Sequence, residues 1–258
     1  MSRQAQAAVL FLIGGALLHA SYTDLYLRYV KAGLRPLLLV AGVVLIAAAV
    51  ATVWYELRRP RTAKGKAAEY RPENQSGIEH HDGHGHGHAH REPRVAWLLA
   101  LPILALILVA PPALGSYSAM RTGTALQKPW GFADLPAGDP VRMSLVDYAG
   151  RAVYDQGRSL HDRQVEITGF VALDRRGTPY LVRMALNCCA ADGQPVKVGL
   201  AGKTPPVLQP DTWLEVTGTY TGKRTKDPVN DGVIPFIDVT EATPVPAPRD
   251  PYDEGGGG

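Results

Sequence analysis

Cysteine is nearly absent: Cys188 and Cys189 are the only two in 258 residues. One adjacent pair excludes a disulfide framework as the scaffold, and no Cys-x-x-Cys spacing is present to suggest a thioredoxin-type redox motif. Charge is missing from whole stretches. Leu37 to Tyr55 and Val95 to Tyr117 contain no charged residue, and Ala5 to Tyr22 is nearly as apolar. A bilayer core takes about 20 apolar residues of helix, and only a helix or closed barrel satisfies its own backbone in lipid. Each run therefore reads as a spanning helix, over about 5–22, 34–55 and 95–115. No run carries an acid or base at its centre, which excludes an ion pathway inside three helices alone. No catalytic triad, phosphate loop or paired-acid motif stands out, so nothing points to an enzyme.

What positive charge there is clusters beside the membrane. Eight Lys and Arg lie between Arg58 and Arg94, whereas the connection from Tyr22 to Leu34 holds only Arg28 and Lys31. Cytoplasmic loops carry the Lys/Arg excess. The N-terminus and the 58–94 loop are therefore expected inside, and everything after the third run outside. A cleaved leader at the N-terminus would need a small residue where Leu18 stands in Leu18-His19-Ala20, so the first run is expected to stay. Asp24 and Arg28, one helical turn apart, are expected to pair where that run ends.

The 58–94 loop contains Glu-His-His-Asp-Gly-His-Gly-His-Gly-His-Ala-His, which sets His80, His81, His84, His86, His88 and His90 around Asp82. Neutral imidazole is a good ligand for zinc and similar divalent transition metals, and glycines between the rings let several fold around one ion. The same composition also suits a solvated linker, and closing such a loop on an ion costs entropy.

From Ser118 the composition turns to that of a soluble domain. It holds 15 Lys/Arg against 17 Asp/Glu, a near-neutral balance that predicts no clustered basic face and no nucleic-acid partner. A linker is expected over 118–140. Alternating β-branched and aromatic residues then predict strands at Val165–Val171, Tyr180–Cys189, Val196–Leu200, Trp213–Tyr220 and Pro235–Thr240, with a short helix within Ser144–Leu160. Gly169 and Gly218 fall inside strands, as at the corners of a small barrel. The fold class expected is α+β: a membrane part over 1–117, then an OB-like five-stranded β-barrel over 141–247 and a disordered tail over 248–258. Its aromatics (Tyr148, Tyr154, Phe170, Tyr180, Trp213, Tyr220 and Phe236) are expected in the core.

The cysteines stand in Leu186-Asn-Cys-Cys-Ala-Ala-Asp-Gly-Gln-Pro195. Neighbours on a regular strand point to opposite faces, so the two thiols serve one site only if the backbone bends at the turn that follows. Three functional readings stay open: a vicinal disulfide, a soft-metal or metalloid site completed by Asp192, and a redox pair. The alternative is one buried cysteine and one at the bend.

Three spans, the His-rich loop, Val-Glu-Ile-Thr-Gly-Phe-Val and Asn-Cys-Cys-Ala-Ala-Asp-Gly-Gln-Pro together resemble the YcgQ-like family of bacterial membrane proteins, described as one subunit of a two-component permease complex. Cys188, Cys189, Ala191 and Asp192 match its Cys-Cys-x-Ala-Asp signature, and Gly193 departs from the alanine expected next. The resemblance implies a multi-span permease partner, of the class that includes organoarsenical exporters, and leaves the cargo open. The expected function is a non-catalytic accessory subunit of a membrane permease that handles a metal or metalloid ion, such as zinc, through the His loop and the Cys pair. The rival is a membrane-anchored thiol–disulfide protein or sensor using Cys188–Cys189.

Overall fold

The computed structural model describes residues 3–58 and 112–254. Residues 95–111 of the expected third span and the whole His-rich loop, with His80, His81, Asp82, His84, His86, His88 and His90, lie outside the described residues. Two compact units result: 3–18 with 40–58, and 19–39 with 112–254.

In the first unit, α1 (Arg3–Tyr22) and α2 (Arg35–Arg58) meet at Gly14 and Gly42. A β-carbon on Gly14 would lie 2.9 Å from the Gly42 carbonyl oxygen, and one on Gly42 would lie 2.9 Å from the Leu18 side chain. Small residues at a crossing let helix backbones approach closely, the usual device where lipid removes the hydrophobic drive between helices. Large apolar side chains elsewhere, including Phe11, Val43, Val50 and Trp54, are exposed. Both helices are long and apolar enough to cross a membrane.

The second unit is built on a closed five-stranded barrel. Its strands are β2 (Val165–Leu173), β3 (Pro179–Leu186), β4 (Gln194–Gly202), β5 (Trp213–Lys226) and β6 (Val233–Pro244), with β1 (Val141–Arg142) and β7 (Tyr252–Glu254) added in parallel. The ring runs β2–β5–β6–β4–β3 and returns to β2, antiparallel throughout except for β4 beside β6. The barrel expected from the alternation is thus present. The helix expected before it is α4 (Leu145–Tyr154), capped by Ser144 Oγ, which accepts from Asp147 N at 3.0 Å. Leu145, Tyr148, Ala149 and Ala152 make one apolar face that is buried with Val165, Ile167, Leu181, Val198 and Val216. Tyr148 therefore reaches the core from this helix, and its hydroxyl donates to the Phe236 carbonyl at 2.8 Å; burial pushes its pKa well above the usual tyrosine range.

Gly218 marks a corner, where β5 shifts register against β6. A β-carbon there would sit 2.4 Å from the Asp238 carbonyl oxygen and 3.1 Å from its carbon, and that strand backbone is not free to yield. Gly218→Val is expected to cost about 3 kcal/mol, at the upper end for overpacking, read as a lower urea midpoint with an unchanged slope.

Three expectations are corrected. Residues 118–140 are not a free linker: α3 (Ser116–Arg121) lies on the barrel, Ser116 N and Oγ donate to Asp211 at 2.6 and 2.9 Å, and Ala125 N donates to Pro195 O at 2.9 Å. Residues 248–254 of the expected tail are not free either, because Tyr252–Glu254 pairs with Met184–Leu186 and Tyr252 is buried. Both corrections have one cause. β2 and β3 carry apolar residues on their outer as well as inner face (Phe170, Ala172, Tyr180, Val182, Met184), and Leu114, Ala119 and Tyr252 cover that second face. Finally, Asp24 lies 3.9 Å from Arg35, and no ion pair joins it to Arg28. The α1 helix ends at Tyr22 and Asp24 takes a left-handed backbone, φ 57°, so the one-turn spacing to Arg28 is lost.

Candidate metal centre

Strand β3 ends at Leu186, and the chain turns through Asn187–Cys189 into a short 3-10 helix, Ala190–Asp192. That turn is organised by one carboxylate. Asp192 Oδ1 accepts from Asn187 N at 3.0 Å, and Oδ2 accepts from Cys188 N at 2.8 Å and Cys189 N at 3.4 Å. In return Asp192 N donates to the Cys189 sulfur, which closes a capping box. The bend that the sequence required is therefore present. Ligand atoms of Cys188, Cys189 and Asp192 lie within 4.8 Å of one another, and both cysteines are free, Cys188 exposed and Cys189 partly so.

A second segment holds this turn from outside. Val30 forms an antiparallel bridge with Cys189, Lys31 N donates to Cys188 O at 3.1 Å, and Ala190 N donates to Tyr29 O at 2.7 Å. The connection between α1 and α2 thus runs as an edge segment along the two cysteines. Tyr252 adds a clamp, its hydroxyl donating to Arg28 O at 2.7 Å and accepting from Leu114 N at 3.1 Å. Gly193 packs closely here: an alanine β-carbon would stand 2.6 Å from Leu114 Cδ1, a side-chain end that can move aside.

Electrostatics separate the sulfurs from ordinary reactive thiols. The Cys188 thiol donates to the Asp192 carboxylate and contacts Cys189, and these raise its pKa to about 11. The Asp192 carboxyl is held below its usual range by the same thiol and by the backbone N–H groups of Cys188, Asn187 and Cys189. The thiolate is both the redox nucleophile and the metal ligand, so this environment opposes either role until the Cys188 proton is displaced. The donor set has the chemistry of a soft-ion site. Two sulfurs and a carboxylate oxygen match three positions of a tetrahedral site with a fourth left open, and edges of about 3.8 Å, from a Zn–S distance of about 2.3 Å, need only a small contraction. Replacing Asp192 removes the acceptor that holds the Cys188 proton. Asp192→Asn is expected to speed alkylation of Cys188 at pH 8 several-fold. The gain in thiolate is limited because Cys189 also raises the thiol pKa, and it is partly offset by lower intrinsic nucleophilicity. Mass spectrometry of iodoacetamide-treated protein checks it.

Two concavities lie elsewhere on the same unit. One, of about 1030 Å³, is lined by Asp24, Arg28, Leu114, Trp213 and Arg249 among others, with Phe170 set edge-on to Trp213 at 5.7 Å. The other, of about 1020 Å³, gathers Arg121, Arg175, Arg176, Lys223, Arg224 and Lys226. It overturns the expectation of no clustered basic face: the domain's total charge is near neutral, but its cations are not evenly spread. Arg175-Arg176 and Lys223-Arg224-Thr-Lys226, each beside a hairpin turn, were the signal in the sequence.

Residues 148–253, from α4 through β7, match the family model of the DUF1980 C-terminal domain. The match covers less than half of the chain, includes Cys188, Cys189 and Asp192, and is consistent with the YcgQ-like resemblance. No curated protein and no solved structure matches the chain.

Proposed function

We propose that this protein is a non-catalytic accessory subunit of a membrane permease, in which an OB-like barrel on the outer side holds a soft metal or metalloid ion at Cys188, Cys189 and Asp192. The observation that carries the reading is the pinning of that turn by Tyr29–Lys31. A change at the sulfurs is mechanically coupled to the connection between the two apolar helices, which is what an ion-handling subunit needs and a free-standing enzyme does not. The residues that would hold the ion are the two sulfurs, with the Asp192 oxygen as third donor and as organiser of the turn; binding displaces the Cys188 proton from Asp192.

The same pinning supports three crossings. If α1 and α2 cross, their connection lies on one side and Arg58 on the other. The barrel bonds to that connection, and Val95–Tyr117 is a charge-free run of spanning length between Arg58 and the barrel, which supports a third crossing. With the Lys/Arg excess of the 58–94 loop inside, the barrel is outside and the His80–His90 cluster, with Asp82, is a cytoplasmic zinc-type buffer. Exposed apolar side chains on α1 and α2 support contact with lipid and a multi-span partner, and the cavity beside Trp213 offers that partner a concave seat.

The test is affinity purification of the full-length protein from its native membranes in mild detergent, with metal quantified in the same sample. Co-purification of a multi-span permease with a bound transition metal is the expected result. A protein that comes alone and metal-free removes the reading, and a Cys188–Cys189 pair that cycles between reduced and oxidised forms favours the redox rival.

A further inference from the structure

We infer that the groove between the β2–β3 and β5–β6 hairpin loops is a binding site for a multiply charged phosphate-type anion, independent of the metal centre. The site is built by three separate segments that converge: Arg121 at the end of α3, Arg175 and Arg176 in the turn after β2, and Lys223, Arg224 and Lys226 near the end of β5. Six like charges around about 1020 Å³ repel one another, and a protein without a ligand for them has a simple remedy in interspersed acids. That remedy is missing. Among the described residues none of the six makes an ion pair.

Two acids stand close by: Asp174 offsets only part of the charge, through Arg176, and Asp227 offsets none. The Asp174 carboxylate is committed to its own turn, accepting from Arg176 N and Thr178 N, each at 2.8 Å. Asp227 is fully buried and already neutralised by Lys197 Nζ at 2.7 Å. The positive field therefore points outward into the cavity. Two of the cations are also set over rings, Lys223 at 4.5 Å over Phe236 and Arg121 at 4.4 Å over Tyr117. Such stacking holds the long side chains along the wall of the groove and lowers the entropy lost when a ligand arrives.

Arginine predominates, and its planar fork matches phosphate oxygens two at a time, which a lysine-only patch does not do. The volume suits a small ligand bearing two or more phosphate charges. Tyr180 and Phe236 are buried among the barrel's own side chains, so no row of exposed rings is present along the groove to stack successive bases of a single strand. Two sources supply this chemistry: a soluble polyphosphate and an anionic phospholipid headgroup, the latter because Tyr117, which closes the third apolar run, lines the same groove.

Isothermal titration of the full-length protein in neutral detergent with pyrophosphate, at low salt and again at several salt concentrations, tests the site. Saturable binding that weakens with salt is expected, and Arg176→Glu/Arg224→Glu is expected to weaken it at least about tenfold, since two charge-assisted bonds to phosphate are replaced by repulsion. Arg175→Gln/Arg176→Gln gives a smaller loss in the same direction, and Lys128→Glu, on exposed chain outside the groove, leaves affinity unchanged. All these side chains are exposed, and an unaltered unfolding temperature confirms that the variants fold. Competition by dioctanoyl phosphatidylglycerol then identifies a lipid headgroup, whereas pyrophosphate binding without lipid competition identifies a soluble phosphate; either upholds the site. No saturable pyrophosphate binding, or equal loss in Lys128→Glu, overturns it. So does an oligothymidylate that binds orders of magnitude more tightly than pyrophosphate, because the groove then serves nucleic acid.

Discussion

Lys197→Met is expected to destabilise the barrel unit by about 3–5 kcal/mol, the range for removing one partner of a buried ion pair. Lys197 and Asp227 are 1% and 0% exposed, and Nζ meets Oδ2 at 2.7 Å. Around them every polar atom is used. Nζ also donates to Thr122 O at 2.9 Å, Asp227 Oδ2 accepts from Thr124 N at 2.9 Å, and Oδ1 accepts from Val229 N at 2.9 Å. The pair thus ties β4, the β5–β6 loop and the segment entering from α3. Methionine fills the volume but strands a carboxylate in a place water does not reach, so the loss is electrostatic and not a cavity effect. For a unit of this size it amounts to a fall of roughly 10 to 15 °C in unfolding temperature. The double variant Lys197→Met/Asp227→Asn removes both charges while leaving an acceptor for one N–H, and it is expected to recover about half of the loss. Thermal unfolding followed by tryptophan fluorescence measures both. Equal stability of the single and double variants would refute the charge-burial explanation.

The second large effect concerns the sulfurs. Cys188→Ser and Cys189→Ser are each expected to weaken zinc or cadmium binding at the Cys188–Cys189–Asp192 site by more than about a hundredfold, since even outer-shell partners of metal ligands contribute 10–100-fold. Asp192→Asn is expected to fall within that outer-shell range. It keeps one oxygen for the turn, while the two thiols remain as the principal donors. Competition against a chromophoric chelator, in protein lacking residues 80–90 so that the His cluster does not contribute, reads the three affinities. Serine variants that bind as tightly as the parent would return the cysteines to a structural role.

How much of this was legible in the sequence differs by element. The two helices follow from charge-free runs long enough for lipid. The barrel follows from alternation in Val165–Val171 and Trp213–Tyr220, because period-2 patterning is the direct imprint of a half-buried strand. The outer apolar face of β2 and β3 blurred that alternation, and its covering by Leu114, Ala119 and Tyr252 was hidden with it; a linker and a tail were expected where packed chain is found. Lys197 gave no warning, since a lysine between two valines reads as the exposed position of a strand. The Cys-Cys-Ala-Ala-Asp turn was legible as a candidate site, but its partner segment was not. Nothing local links Val30 to Cys189 across more than 150 residues, and only the fold brings them together. The basic groove was concealed by averaging, since acids elsewhere in the domain cancel its charge in any total.

The most direct measurement is a cadmium titration of the reduced full-length protein in detergent, following the thiolate-to-metal charge-transfer absorbance. The expected result is a band that saturates with a single ion per chain, is lost in Cys188→Ser/Cys189→Ser, and persists when residues 80–90 are deleted. A band that never develops, or that depends on the His-rich loop and not on the two cysteines, would contradict an ion-holding centre at Cys188, Cys189 and Asp192.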